Sequence, residues 1–145
     1  MSEVESFLSA SEEQEIVTAI LEAEKDTSGE IRVHIEASSS KDHFKRAQHL
    51  FHQLKMDNTR QRNGVLFYVA VHDHKFVILG DYGIDHVVPD DFWNSTRDIM
   101  QNHFKHGDFK QGIVEGVLSA GRELKAHFPW RSDDRNELSD EISKA

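Results

Sequence analysis

Apolar residues along this chain follow two different periods, which separate the helical segments from the extended ones. In four segments they recur every three to four positions, which predicts amphipathic helices over 11–25, 44–54, 92–103 and 108–124. Ser11 and Gln14 have the spacing of a capping box at the start of the first helix. Pro89, a residue type common in first turns, predicts that the third helix begins close to it.

The extended segments have the period of strands. Residues 30–36 alternate strictly between apolar and polar side chains, so they are expected to form a strand with one solvent-facing side, on which His34 is exposed. Residues 65–71 are continuously apolar, as in a central strand that is buried on both faces. Residues 75–79 follow a short turn and are predicted to return as the antiparallel arm of a hairpin.

The order of these elements predicts the fold class. A strand, a helix and a second strand form a βαβ unit with parallel strands, and the hairpin adds a strand antiparallel to them. We therefore predict an α/β fold, a three-layer α/β/α sandwich around a small mixed β-sheet. The domain is expected to span residues 11–130, between an N-terminal extension (1–10) and a polar C-terminal tail (131–145) whose Leu138 and Ile142 can dock on it.

Composition and charge narrow the possible partners. The chain of 145 residues has a net charge of −9, which argues against nucleic acid and anionic membranes and favours cations or a basic protein partner. It contains no cysteine, so disulfides and thiolate zinc sites are excluded. No stretch has the features of a signal peptide or the roughly 20 apolar residues of a membrane span. We expect a cytoplasmic protein without membrane association.

The loop between residues 80 and 93 is the strongest candidate for a functional site. It holds two glycines, which predict a flexible turn, and four carboxylates that repel one another unless a positive charge lies between them: Asp81, Asp85, Asp90 and Asp91. Oxygen ligands of this kind suit calcium or magnesium, although the spacing is not that of an EF-hand. Spacing alone favours a plainer interpretation, in which Asp90 or Asp91 caps a helix and Asp85 belongs to a turn.

Strand order brings other polar residues to the same place. Because the hairpin strand is antiparallel, its end lies beside the beginnings of the two parallel strands. Glu30, Asn63 and Asp81 are therefore expected at one edge of the sheet. Arg60 and Arg62 precede the second strand and fall at this edge as well, where they either hold a phosphate next to a metal or neutralise the Asp residues.

Four short segments together resemble the TPM domain family: 27–33 (TSGEIRV), 62–66 (RNGVL), 80–84 (GDYGI) and 136–138 (NEL). The resemblance covers about residues 11–128 and implies an α/β/α sandwich that binds a divalent cation, usually calcium. The resemblance also implies phosphatase activity as an alternative, because a plant member of the family has acid phosphatase activity. The family's positions match Glu30, Asn63, Asp81 and Asp85, with Asp90 or Asp91 in place of an acidic residue after the glycine turn.

The sequence leads to one main hypothesis and two alternatives. The main hypothesis is a calcium or magnesium site whose ligands come from a set of carboxylates: Asp81, Asp85, Asp90, Asp91 and Glu30. The first alternative is a metal-dependent acid phosphatase for phosphomonoesters, in which Arg60, Arg62 or Asn63 assists the phosphate or its charge. The second alternative is a non-catalytic module that docks a basic protein partner.

Overall fold

The structure, a computed structural model, describes residues 7–38, 42–130 and 138–144. The helices are α1 (Ala10–Glu24), α2 (His43–Gln53), the short α3 (Tyr82–Asp85), α4 (Asn94–Lys105) and α5 (Phe109–Lys125). The strands are β1 (Glu30–Glu36), β2 (Gly64–Ala70), β3 (Lys75–Gly80) and β4 (Ser143–Lys144). They lie in the order β3-β2-β1-β4, with β3 antiparallel to β2 and the other neighbours parallel. The predicted α/β fold with a mixed sheet is confirmed.

Helices cover both faces of the sheet and form the outer two of three layers. Side chains of β2 pack on both faces of the sheet, because successive side chains of a strand point in opposite directions. One set packs with α1, α4 and α5 in the larger apolar cluster: Val65, Phe67 and Val69. The other set packs with α2 in a second cluster: Leu66, Tyr68 and Ala70. The continuous apolar run of β2 therefore has the cause that the sequence predicted.

The first helix begins earlier than its sequence pattern indicated. Its N-cap is Ser9, whose hydroxyl accepts the Glu12 N–H at 3.1 Å while the Glu12 carboxylate accepts the Ser9 N–H at 3.0 Å. The predicted capping box of Ser11 and Gln14 is therefore wrong by two residues. Both serines have a suitable partner three residues later, and burial of Leu8 in the core decides in favour of Ser9.

The third predicted helix also has a different start. Helix α4 begins at Asn94 rather than near Pro89, and its N-cap Trp93 makes no side-chain capping bond. The residues before it form successive turns, in which the Phe92 N–H donates to Pro89 O at 3.1 Å. Phe92 and Trp93 are buried in the larger cluster, and this anchor places the helix start after them. The prediction that Asp90 or Asp91 caps this helix is wrong for the same reason.

Strand β1 is buried on both faces, so the expected solvent-facing side is wrong. His34, predicted to be exposed, is 2% exposed, and Glu30 and Glu36 are also buried. The cause lies at the other end of the chain, where β4 pairs with β1 so that Ser143 lies opposite His34. Leu138 packs on the smaller cluster and Ile142 on the larger one, as predicted for docking residues.

Candidate functional site

Three strand ends meet at one edge of the sheet, as strand order predicted. The Glu30 N–H donates to Asn63 O at 3.2 Å, which joins the start of β1 to the residue before β2. The Asp81 N–H donates to Gly64 O at 2.9 Å, which joins the residue after β3 to the start of β2. The backbones of Glu30, Asn63 and Asp81 therefore lie side by side, and this sheet edge is the setting of the candidate site.

Asp81 is the central carboxylate of this edge. It caps α3, because its Oδ1 accepts the Tyr82 N–H at 2.7 Å. The Arg62 guanidinium binds both of its oxygens, with Nε 3.0 Å from Oδ2 and Nη2 3.3 Å from Oδ1. Asp81 is 5% exposed, whereas the Arg62 side chain is 49% exposed. Of the two roles that the sequence left open for Arg62, the structure shows the ion pair with Asp81.

Asp85 lies one helical turn further along and shares the electrostatic environment of Asp81. Its N–H donates to Asp81 O at 3.1 Å. Partial burial, and then the negative charge of Asp81, raise the pKa of the Asp85 carboxyl. Asp85 is an exposed residue whose carboxylate feels the charge of Asp81, and a cation bound by both groups would relieve that repulsion.

Gly83 allows the loop before β2 to lie directly on α3. Its N–H donates to Arg62 O at 2.8 Å. A Cβ at this position would lie 2.1 Å from Gln61 O and 2.6 Å from Arg62 O, which no side chain tolerates. Its φ is not positive, so the glycine serves close approach rather than the flexibility that the sequence suggested. Two backbone carbonyl oxygens are thereby held against Gly83, which lies midway along the chain between Asp81 and Asp85.

The remaining predicted residues have other surroundings. The Asn63 side chain donates to Ser28 O at 3.2 Å and ties two loops together. Glu30 is buried at the start of β1, and its negative charge is the last of the causes that raise the pKa of Glu24. Burial, followed by a hydrogen bond with Asp140, is the main cause that raises the pKa of Glu24 to about 10. Three predicted residues of the edge are exposed: Arg60, Asp90 and Asp91.

A second polar cluster, which the sequence did not reveal, lies inside the sandwich around Glu36. Its carboxylate accepts bonds from Arg46 (Nε 3.0 Å, Nη2 2.8 Å), from the Tyr68 hydroxyl at 2.5 Å and from His34 Nε2 at 3.1 Å. Burial acts to raise the pKa of Glu36, but the bonds from Arg46, Tyr68 and His34 outweigh it and lower the pKa to about 2. Two features of the sequence could have indicated this cluster. Glu36 is a charged residue at the end of β1, and Tyr68 is the one polar side chain in the apolar strand β2.

His34 links this cluster to β4. Because ionised Glu36 can only accept, a neutral imidazole carries its proton on Nε2 and accepts the Ser143 hydroxyl at Nδ1, 2.9 Å away. Burial lowers the pKa of His34, and Glu36 offsets this only in part. The order serine, histidine, carboxylate resembles that of a nucleophile and its base. With the imidazole 2% exposed, however, no substrate reaches it, and the chain of bonds instead holds β4 to β1.

Oxygen donors of the type that hard divalent cations prefer lie along this edge of the sheet. The oxygens along α3 are the carboxylates of Asp81 and Asp85 and, packed against Gly83, two backbone carbonyls, and a guanidinium already pairs with Asp81. Across the parts of the chain that the structure describes, no three Asp, Glu or His side chains converge as a preformed metal cage. A cation at this edge would therefore keep water molecules in its coordination shell.

Comparison with known proteins assigns the chain to a family. The model of the TPM domain matches residues 2–123. The chain belongs to the TPM domain family, and the resemblance seen in the sequence is confirmed. No curated protein has a significantly similar sequence. Within the described residues, no helix has the length and apolar character needed to cross a membrane.

Solved structures share the fold over most of the chain. The BA42 protein of the psychrophilic bacterium Bizionia argentinensis is 58% identical, with both chains covered completely and a TM-score of 0.94. The N-terminal domain of a P. gingivalis protein is 23% identical, with 84% of this chain and 79% of that chain covered and a TM-score of 0.69. The N-terminal domain of a Corynebacterium glutamicum protein is 14% identical, with 95% and 81% covered and a TM-score of 0.64. The last two show the fold alone.

Proposed function

We propose that this TPM domain binds a divalent cation, calcium or magnesium, at the sheet edge through Asp81 and Asp85. The observation that carries the proposal is the buried Asp81 carboxylate at the start of α3, which pairs with one half-exposed guanidinium and lies one helical turn from a second carboxylate, Asp85. Bringing such charges together costs free energy, and a divalent ion between them recovers it. The carbonyl oxygens of Gln61 and Arg62, held against Gly83, add neutral ligands of the type that calcium accepts.

The other predicted carboxylates have supporting roles in this proposal. Asp90 and Asp91 are exposed on the loop that follows α3, where they raise the local concentration of cations. Glu30 adds negative charge at the start of β1, where its N–H is bonded to Asn63 O. The shell is then completed by water rather than by these side chains.

Calorimetric titration of the metal-free chain with calcium, and separately with magnesium, tests the proposal. We expect saturable heat and a rise in thermal stability, because a ligand of the folded state stabilises it by about 2.7 kcal/mol at one hundred times its dissociation constant. Asp81→Asn and Asp85→Asn should each abolish or strongly weaken binding. Asp98→Asn, at an exposed position on α4, is the control for loss of one negative charge. If millimolar calcium produces no heat and no thermal shift, the proposal is refuted.

The exposed guanidinium next to the carboxylates favours a second candidate, a metal-dependent phosphomonoesterase. Arg62 would bind the phosphate, the metal would polarise a phosphoryl oxygen, and Asp85, one helical turn from Asp81, would activate water. Hydrolysis of a generic phosphate ester by the wild type, lost in Asp85→Asn and in Arg62→Gln, is the expected result. Equal activity in the wild type and both variants would show that it arises elsewhere.

A further inference from the structure

The backbone of Arg62 is held by hydrogen bonds, whereas its long side chain is half exposed. Its carbonyl accepts the Gly83 N–H at 2.8 Å, and its own N–H donates to Thr59 O at 3.3 Å. Its φ of 51° places it in the left-handed region, a conformation that these bonds maintain. The side chain, in contrast, is 49% exposed. The guanidinium can therefore leave Asp81 by rotation of side-chain bonds, without any change in the loop that carries it.

Asp81 is fixed in both backbone and side chain. Its N–H is bonded to Gly64 O, and its Oδ1 also accepts the Tyr82 N–H. Both carboxylate oxygens receive a bond from the Arg62 guanidinium. A divalent ion bound to either oxygen would lie within about 5 Å of that guanidinium, a distance at which like charges repel strongly near a protein surface. The ion and the guanidinium therefore compete for the same carboxylate.

We propose that Arg62 is a resident counter-cation of Asp81, which a divalent ion displaces when it binds. This inference rests on the proposed function, since it concerns the same carboxylate. Without metal, the guanidinium keeps a buried carboxylate paired and avoids the cost of an isolated charge. With metal, the ion takes over that role and the guanidinium turns to solvent. Arg62 thus sets the metal concentration at which the site fills.

The competing explanation is that Arg62 supports the metal site by holding Asp81 in place. The two explanations predict opposite effects of removing the charge. If Arg62 competes, its loss tightens metal binding, because no ion pair has to be broken first. If Arg62 supports the site, its loss weakens binding. Without help from Arg62, the Asp81 N–H bond to Gly64 O fixes the backbone and the Tyr82 N–H bond to Oδ1 fixes the carboxylate, which favours competition.

Calcium titration by calorimetry of the wild type, Arg62→Gln and Arg97→Gln tests this inference. Arg97 is an exposed arginine of α4, and its substitution controls for the change in net charge. We expect Arg62→Gln to bind calcium about fivefold more tightly than the wild type. That factor corresponds to the free energy of a half-exposed ion pair, which the variant does not have to break. Arg97→Gln should remain within twofold of the wild type. Circular dichroism in a chelator checks that each variant is folded.

A second readout follows the guanidinium itself. In the wild type, the Arg62 Nε–H resonance in a ¹⁵N-correlated NMR spectrum should lose its hydrogen-bonded shift as calcium is added. Equal or weaker calcium binding by Arg62→Gln, or an unchanged Nε–H resonance at saturation, would overturn the role of Arg62 and leave cation binding intact. Absence of binding in the wild type and in Arg62→Gln alike would overturn the proposed function, and this inference with it.

Discussion

Two arginine–carboxylate pairs in this domain have similar chemistry and opposite surroundings. In the interior, Glu36 is bound by Arg46, whose side chain is 27% exposed, and also by Tyr68 and His34. At the sheet edge, Asp81 is bound by Arg62, whose side chain is 49% exposed, and by one backbone N–H. The two carboxylates are equally buried, each 5% exposed. The difference therefore lies in the donors and not in the acceptors.

This difference separates a structural pair from a candidate functional one. Donors from β1, β2 and α2 hold Glu36. Loss of any one of them would leave a buried charge with an unmade hydrogen bond. Most of the charge pairing of Asp81 comes from one side chain that reaches it from the solvent. A buried carboxylate with one removable partner is suited to exchange that partner for a ligand, whereas one with several fixed partners is suited to hold elements together.

Removal of the interior carboxylate should have the largest effect. We expect Glu36→Gln to lower the free energy of unfolding by about 3 to 5 kcal/mol, because Arg46 and the Tyr68 hydroxyl lose a charged acceptor in a buried place. Asp81→Asn, the matched change at the edge, should cost clearly less, since Arg62 can turn to solvent. Urea unfolding of both variants measures the difference. Equal costs would remove the distinction between the two pairs.

Close packing at the edge should show the next largest effect. Gly83→Ala is expected to cost about 2 to 3 kcal/mol, because its Cβ would overlap the Gln61 and Arg62 carbonyl oxygens and push the loop away from α3. Gly107→Ala is an instructive control, since nothing lies within 4 Å of its Cβ and its cost comes from a φ of 75°. A Gly83→Ala protein with wild-type stability and calcium affinity would show that the loop is not held there.

Glu24 extends the comparison to a partly buried carboxyl whose pKa is raised by burial and by neighbouring carboxyl groups. Its pKa of about 10 in the folded state lies above the unfolded value of 4.5, so its stabilising contribution is complete below pH 4.5 and is lost as the pH rises towards 10. Glu24→Gln keeps the neutral form at every pH and should raise the free energy of unfolding clearly at pH 8 and only slightly at pH 5. Thermal unfolding at pH 5 and pH 8 tests this, and a gain that is equal at both values would contradict it.

The smallest effect should come from His34 at mildly acidic pH. Its folded pKa is lowered from 6.5 by burial, so its contribution is complete above pH 6.5 and is lost as the pH falls through the folded value. His34→Gln should flatten the stability profile just below pH 6.5, and the further loss due to Glu36, between pH 4.5 and about 2, should remain. Unfolding free energies across this range provide the test. An unchanged slope below pH 6.5 would mean that His34 does not titrate there.

The sequence alone was sufficient for those features that depend on local periodicity and on topology. The apolar run of β2, the βαβ unit and the hairpin determined the mixed sheet, and strand direction then placed Glu30, Asn63 and Asp81 at one edge. These inferences succeed because backbone pairing follows from strand order, whatever side chains surround it. The site residues as metal ligands and the cytoplasmic location remain predictions.

Tertiary structure alone decided how the polar side chains of β1 and of the edge are used. His34 and Glu36 alternate with apolar residues as in a half-exposed strand, yet β4, more than one hundred residues later, and Arg46 of α2 bury them. Likewise, no local pattern shows that Arg62 lies on Asp81, or that Gly83 is required for close packing rather than for flexibility. Periodicity reports which face of a segment is apolar, whereas the partner of a buried charge depends on residues that only the folded chain brings together.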